Sequence, residues 1–197
     1  MSWVAILPIK PRGQRKSRLA AAPDLDGEAI AARLLEHVCA VVTTHPAIAE
    51  TILLAQKPES CGARAWREDH GRGLNAELAA ARADLGGRDL MAILPDLPAV
   101  THADIDRLIA AVGPVGAALA ADRHGLGTNA VALRAGIPFT FHFGPASLAA
   151  HRAAAPAGAR IVTTPGLGLD VDTPEDWTLS ECGDPPAAAF LFVTEGQ

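Results

Sequence analysis

Three aspartates carry the strongest chemical signal in the sequence. Asp96 stands between two prolines in Leu94-Pro-Asp-Leu-Pro98, directly after an apolar run that begins at Leu90. Proline has no N–H to donate to a sheet ladder, so the run reads as a buried strand that stops abruptly, with Asp96 on a stiff turn at its carboxyl end. In open α/β sheets that end of a strand is where ligands bind. Two readings of Asp96 fit the stretch equally: a ligand-site carboxylate, or a cap for the next helix. Asp170 and Asp172 lie in Leu169-Asp-Val-Asp-Thr-Pro-Glu-Asp176. In an extended segment, residues two apart point to one face, so both carboxylates converge. They repel each other unless a cation lies between them, and a hard, all-oxygen site suits Mg²⁺. The residues that follow have a structural account of their own. Thr173 is a good N-cap, Pro174 suits the first helical position, and Glu175 and Asp176 suit the positive end of a helix.

Two further stretches could bind anions. Lys10 to Arg18 reads Lys-Pro-Arg-Gly-Gln-Arg-Lys-Ser-Arg, five cations with no anion among them. A nucleoside triphosphate brings about four negative charges, which Lys10, Lys16 and Arg18 could hold. Charge alone fits a solvated surface loop better. The runs Asp122 to Asn129 and Phe143-Gly-Pro-Ala-Ser147 are glycine-rich turns with small hydroxyl side chains. Such turns leave backbone N–H groups available to a small anion. Equally, Ser147 could cap a helix that begins there and Asn129 could close a turn. Neither G-x-G-x-x-G after the first strand nor G-x-x-x-x-G-K-[ST] is present, so phosphates would need another cradle.

The elements that must position these residues alternate. Strands are expected over 3–9, 51–55, 63–66, 90–94, 116–121, 131–133, 139–143 and 160–163. Helices are expected from Asp26 to about Val42, from Gly73 to about Leu85, over 105–112 behind a Thr101–Asp104 capping box, over 146–155, and after Thr173. Alternation of this kind predicts an α/β fold with a mostly parallel central sheet flanked by helices. The 197 residues fit a single domain, with no linker and no repeat. The tail from Gly183 mixes Gly, Asp and Pro with an apolar run over 187–193, which suits an edge strand or a homodimer contact.

Composition narrows the function. Hydrophobic residues make up 49% of the chain, which excludes a disordered protein. A net charge of −5 with no basic arm speaks against nucleic acid. Cys39, Cys61 and Cys182 are far apart and form neither a CxxC pair nor a zinc spacing, as expected of reduced thiols in a cytoplasmic protein. No apolar run approaches the ~18 residues of a membrane span, and the apolar start is too short for a signal peptide.

Together these stretches resemble the CofC/FbiD family, the guanylyltransferases of coenzyme F420 biosynthesis, within the larger group of MobA-like nucleotidyltransferases of GT-A, Rossmann-like fold. The matching residues are Leu7-Pro-Ile-Lys10, Lys16-Ser-Arg-Leu19, Gly73-Leu-Asn75, Leu94-Pro-Asp-Leu-Pro98, Asp122-Arg…Gly127-Thr-Asn129, Phe143-Gly-Pro-Ala-Ser147 and Leu169 to Asp176, in the family's order. The resemblance implies that a three-carbon phospho-acid attacks the α-phosphate of GTP, giving a GDP-linked acid and pyrophosphate. Phosphoenolpyruvate is the favoured acceptor, with 2-phospho-L-lactate and 3-phospho-D-glycerate as alternatives. It further implies that Asp96, Asp170 and Asp172 hold Mg²⁺. Thr128, Gly144 and Ser147 would hold the acceptor's carboxylate, Lys10, Lys16 and Arg18 would face the triphosphate, and Gly73 and Asn75 would lie near the nucleoside. Asp96 and Lys16 would be catalytic. A relative acting on a sugar phosphate or molybdopterin would carry Gly-Gly-x-x-x-Arg-x-Gly-x-x-Lys in its first loop, from which Ile9-Lys-Pro-Arg departs. A non-catalytic nucleotide-binding domain would have lost its aspartates, and all three are present.

Overall fold

The computed structural model describes residues 2–11, 19, 22 and 24–181. Lys16 and Arg18, Cys182 and the tail from Gly183 lie outside the described residues. Seven strands form one sheet: β1 (Trp3–Pro8), β2 (Ile48–Ala55), β3 (Ala65–Glu68), β4 (Asp89–Ile93), β5 (Ala117–Ala121), β6 (Thr128–Leu133) and β7 (Arg160–Val162). Their order is β3-β2-β1-β4-β6-β5-β7. Every strand runs the same way except β6, which is antiparallel to both β4 and β5. The helices among the described residues are α1 (Gly27–Thr44), α2 (Leu74–Ala83), α3 (His102–Val112), α4 (Ser147–Ala154), α5 (Pro165–Gly168) and α6 (Pro174–Glu181).

The central strands are apolar on both faces because helices cover both. On one face Trp3, Ala5 and Leu7 of β1 join a core with Leu35, Val38 and Val42 of α1 and Ile105, Leu108 and Val112 of α3. On the other, Val4 and Ile6 meet Leu78 and Ala81 of α2 and Leu148 of α4. β1 is buried along its whole length, as a strand covered on both faces must be. Cys39 and Cys61, distant in sequence, are free thiols that both lie within the first of these cores.

Two expectations are corrected. Residues 139–143 form no strand. Their alternation is real, since Phe141 and Phe143 are buried while Thr140 and His142 are exposed. No strand pairs with them, and the segment is instead held by its rings: Phe139 and Phe141 meet edge to face at 5.4 Å, and Phe143 meets His151 at 4.8 Å. The single-turn helix α5, absent from the expected elements, follows the Thr164 cap with Pro165 in its first turn. The capping box at α3 is present, with Thr101 and Asp104 bonding each other's backbone N–H, so α3 has its own cap without Asp96.

α5 leads into the Asp170–Asp172 segment, and Gly166 within it lies against the α3 cap. A Cβ on Gly166 would come within 2.7 Å of the Ala99 carbonyl oxygen and would collide with the Asp104 carboxylate. Gly166→Ala is expected to cost about 2 kcal/mol of stability by overpacking, checked by urea denaturation.

Candidate active site

β1 connects to β2 on one side of the sheet, while β4 lies on its other side. At such a switch point the connections part and a crevice opens at the carboxyl ends of the strands. A cavity of about 900 Å³ lies there. Lys10, following β1, and Asp96, following β4, line it, as do Asp170 and Asp172.

The two-residue period of the acidic segment holds. Asp170 and Asp172 line the cavity, while Val171 between them is fully buried in a cluster with Ile30 and Leu34 of α1. The Val171 N–H donates to the Asp96 carbonyl at 3.1 Å, which joins the acidic segment to the turn after β4. Asn129, at the start of β6, donates from Nδ2 to the Leu167 carbonyl at 2.9 Å and to Asp170 Oδ1 at 3.3 Å. Asp176 accepts from the N–H groups of Asp172 and Thr173 and from the Thr173 hydroxyl, and pairs with Arg123 from the turn after β5. The Thr173 cap is therefore present, and Asp176 does more than suit a helix end: it ties two cavity-lining turns together.

Burial, then the neighbouring charges of Asp96 and Asp172, push the Asp170 carboxyl up to about 7. Three carboxylates thus act on one another across a partly buried space. Among the described residues no three acidic, histidine or cysteine side chains already form a closed metal cage. Mg²⁺ does not require one. It is held by one or two carboxylates and completes its shell with water and substrate phosphate. The donor set of Asp96, Asp170 and Asp172 fits that ion.

Another part of the lining is built to donate. Thr128, Gly144 and Ser147 all line the cavity. Ser147 does not cap α4. The cap is Ala146, held in the left-handed region at φ 53° with no side-chain cap bond, and in the first turn of α4 the Leu148 N–H donates to the Leu126 carbonyl at 3.0 Å. The Ser147 hydroxyl instead accepts from the Thr128 N–H at 2.8 Å. His151, fully buried, accepts at Nε2 from the His142 N–H at 2.8 Å, which leaves Nδ1 as the protonated nitrogen facing Thr128 Oγ1 at 3.0 Å. Burial and the charge of His142 lower the His151 pKa to about 4, so it is neutral. Thr128 and Ser147 both use their oxygens as acceptors, and each retains a hydroxyl hydrogen to donate. Gly127 is required by close approach, because a Cβ there would lie 2.7 Å from Asp122 Oδ2.

On the third side Gly73 lines the cavity at φ 93°, whereas Asn75 does not line it. The Asn75 amide is engaged with the turn before α4: Oδ1 accepts from the Phe143 N–H at 2.7 Å and Nδ2 donates to the Phe143 carbonyl at 3.0 Å. Asn75 therefore positions residues 143–147. Glu77, a fully buried carboxylate on α2, accepts from the N–H groups of His70 and Arg72 and from both Nε and Nη2 of Arg72. This fixes the 70–73 loop that forms the wall. The Arg72 bonds hold the Glu77 carboxyl down at about 2.

Sequence reasoning left Glu77 and His151 unassigned. For His151 a signal existed, since Ser147 and His151 are four apart on α4 and so share a face. For Glu77 no spacing rule connects it to the loop it holds.

A model of the family described as guanylyl transferase CofC like matches residues 3–181. The phosphoenolpyruvate guanylyltransferase of Sphaerobacter thermophilus is 36% identical over 189 residues, covering 89% of this chain and 91% of that protein. The 3-phospho-D-glycerate guanylyltransferase of Phenylobacterium zucineum is 35% identical, covering 66% of this chain and 62% of that protein. Among solved structures, a nucleotidyl transferase from Methanothermobacter thermautotroptrophicus superposes with a TM-score of 0.65 at 13% identity, covering 90% of this chain and 94% of that chain.

Two outcomes follow from the charges. The Glu77 carboxyl is depressed on folding, so its stabilisation is complete above its ordinary value of 4.5 and is lost as pH falls towards 2. Glu77→Gln is expected to lower stability at neutral pH by about 2 kcal/mol and to flatten the loss of stability below pH 4.5, followed by urea unfolding at several pH values. Asp170→Asn removes a repelled, buried charge. It is expected to raise the melting temperature of the metal-free protein by about 2 °C or more and to abolish any further rise on adding Mg²⁺, measured by calorimetry.

Proposed function

We infer the reaction from the family and the cavity together: this chain belongs to the CofC-like guanylyl transferases and is a nucleotidyltransferase of the GT-A fold. We propose that it condenses GTP with a three-carbon phospho-acid, phosphoenolpyruvate before 2-phospho-L-lactate or 3-phospho-D-glycerate, as a cytoplasmic step of coenzyme F420 biosynthesis. The observation that carries this reading is the polarity of the cavity. One part of its lining presents the carboxylates of Asp96, Asp170 and Asp172, and another presents the hydroxyl hydrogens of Thr128 and Ser147. A phospho-acid has two anionic ends. Its carboxylate matches the wall of Thr128, Gly144 and Ser147. Its phosphate matches the acidic wall only when a divalent cation lies between them.

In the proposed step an oxygen of the acceptor phosphate attacks the α-phosphorus of GTP, and the bond from that phosphorus to the bridging oxygen breaks, releasing pyrophosphate. The nucleophile is already an anion, so no general base is needed. Asp96, Asp170 and Asp172 would hold Mg²⁺, which when bound supplies positive charge to the phosphates. Lys10 would face the triphosphate from the end of β1, joined on the resemblance by Lys16 and Arg18, and Gly73 would border the nucleoside. Asn75 and His151 act through others: Asn75 by fixing Phe143, and His151 by leaving the Thr128 hydroxyl hydrogen for the carboxylate.

The test is pyrophosphate release from GTP and Mg²⁺ with each of the three acids in turn. Release is expected with phosphoenolpyruvate and should stop on chelation of the metal. Absence of release with all three acids would overturn the reading. Asp96→Asn is expected to lower kcat/KM by about 100-fold or more with the circular dichroism spectrum unchanged.

A further inference from the structure

A second concavity lies at the far end of α2 from the reaction cavity. Its volume is about 350 Å³, at the lower end of the range of about 300–1,000 Å³ usual for small-molecule sites. One wall is apolar, formed by Ile137, Phe139 and Phe141. Arg82 of α2 and Arg88, just before β4, also line it.

Arg82, itself partly buried, differs from five other arginines of the fold. Arg67, Arg72, Arg88, Arg123 and Arg134 each meet a carboxylate. Among the described residues Arg82 meets none, and its guanidinium donates to the Ile137 carbonyl. Loss of water around it, with no offsetting negative charge, pulls its pKa down. A guanidinium has five N–H donors in a planar fork, and holding one away from water without a counter-charge is unfavourable. Arg88 stands at the rim, partly engaged by Glu50 and the Leu85 carbonyl. A cationic fork facing aromatic and aliphatic side chains is complementary to an anion that carries an apolar body.

We propose that this concavity is a binding site for a small organic anion, a carboxylate or phosphate monoester with an aromatic or branched aliphatic body, anchored by Arg82 against Ile137, Phe139 and Phe141. The site shares no lining residue with the reaction cavity, and its occupancy does not depend on the reaction proposed above. Its apolar wall continues along the chain into the Phe143–Ser147 turn, so it borders the acceptor wall without entering it.

Isothermal calorimetry on the full chain with benzoate, phenyl phosphate and the neutral isostere benzamide tests the proposal, with and without GTP and Mg²⁺. Benzoate and phenyl phosphate are expected to saturate one site, benzamide is not, and GTP is expected to leave that binding unchanged. Arg82→Gln should weaken it at least tenfold. Ala79→Leu keeps the guanidinium and fills the mouth of the concavity, and it should weaken binding by a similar factor. Absence of saturable anion binding, competition by GTP, or wild-type affinity in both variants overturns the proposal.

Discussion

The site depends on holding like charges together. Asp170 is partly buried beside Asp96 and Asp172, an arrangement that is unfavourable by itself and leaves its carboxyl half-protonated near neutrality. The surrounding structure compels it. Asn129 reaches across from β6 to Asp170, the Val171 N–H clasps the Asp96 carbonyl, and Asp176 gathers residues 172–173 and Arg123 into one knot. Each bond is ordinary. Together they fix three carboxylates in a gap suited to a divalent cation, at a cost in local stability that the sheet behind them can bear. Functional constellations commonly give up stability in this way.

The lining around Thr128 and Ser147 follows the opposite rule. Its charged candidate, His151, is kept neutral by burial, and its polar atoms are ordered so that oxygens accept from within and hydrogens remain for a ligand. An anion therefore meets a preorganised set of donors that need not rearrange. Preorganisation of this kind is the main means by which a protein stabilises charge in a low-dielectric site.

Much of this was legible in the sequence because it is local. The buried strands β1 and β4, the Thr101–Asp104 box and the two-residue period at Asp170–Asp172 are all written within a few residues. What was not legible is pairing and reach. Alternation over 139–143 reported correctly which side chains turn inward, but alternation cannot say whether a neighbouring strand exists, and here none does. The reversal of β6 is likewise a matter of pairing, although the short 122–127 connection from β5 to β6 carried a hint, since parallel neighbours need a longer crossover. Glu77 breaks the amphipathic rule outright, a carboxylate on a buried helix face, and only its distant partners at 70–72 explain it. Asn75 was found by its neighbourhood, but its two bonds to Phe143, 68 residues away, are announced by no spacing in the sequence.

The reversed strand β6 has one more consequence. In a sheet with every strand parallel, only carboxyl ends reach the ligand rim, each feeding a long crossover whose alteration disturbs a helix and the next strand. By running backwards, β6 brings its first residues, Thr128 and Asn129, to that rim on a tight hairpin from β5. That part of the cavity lining is thereby carried by a compact unit, separable from the parallel crossovers. Under the proposed reaction, drift in that hairpin and in the turn before α4 would change which acid is accepted while the triphosphate end stays intact. A lineage with this architecture would then diversify its acceptors without rebuilding its enzyme.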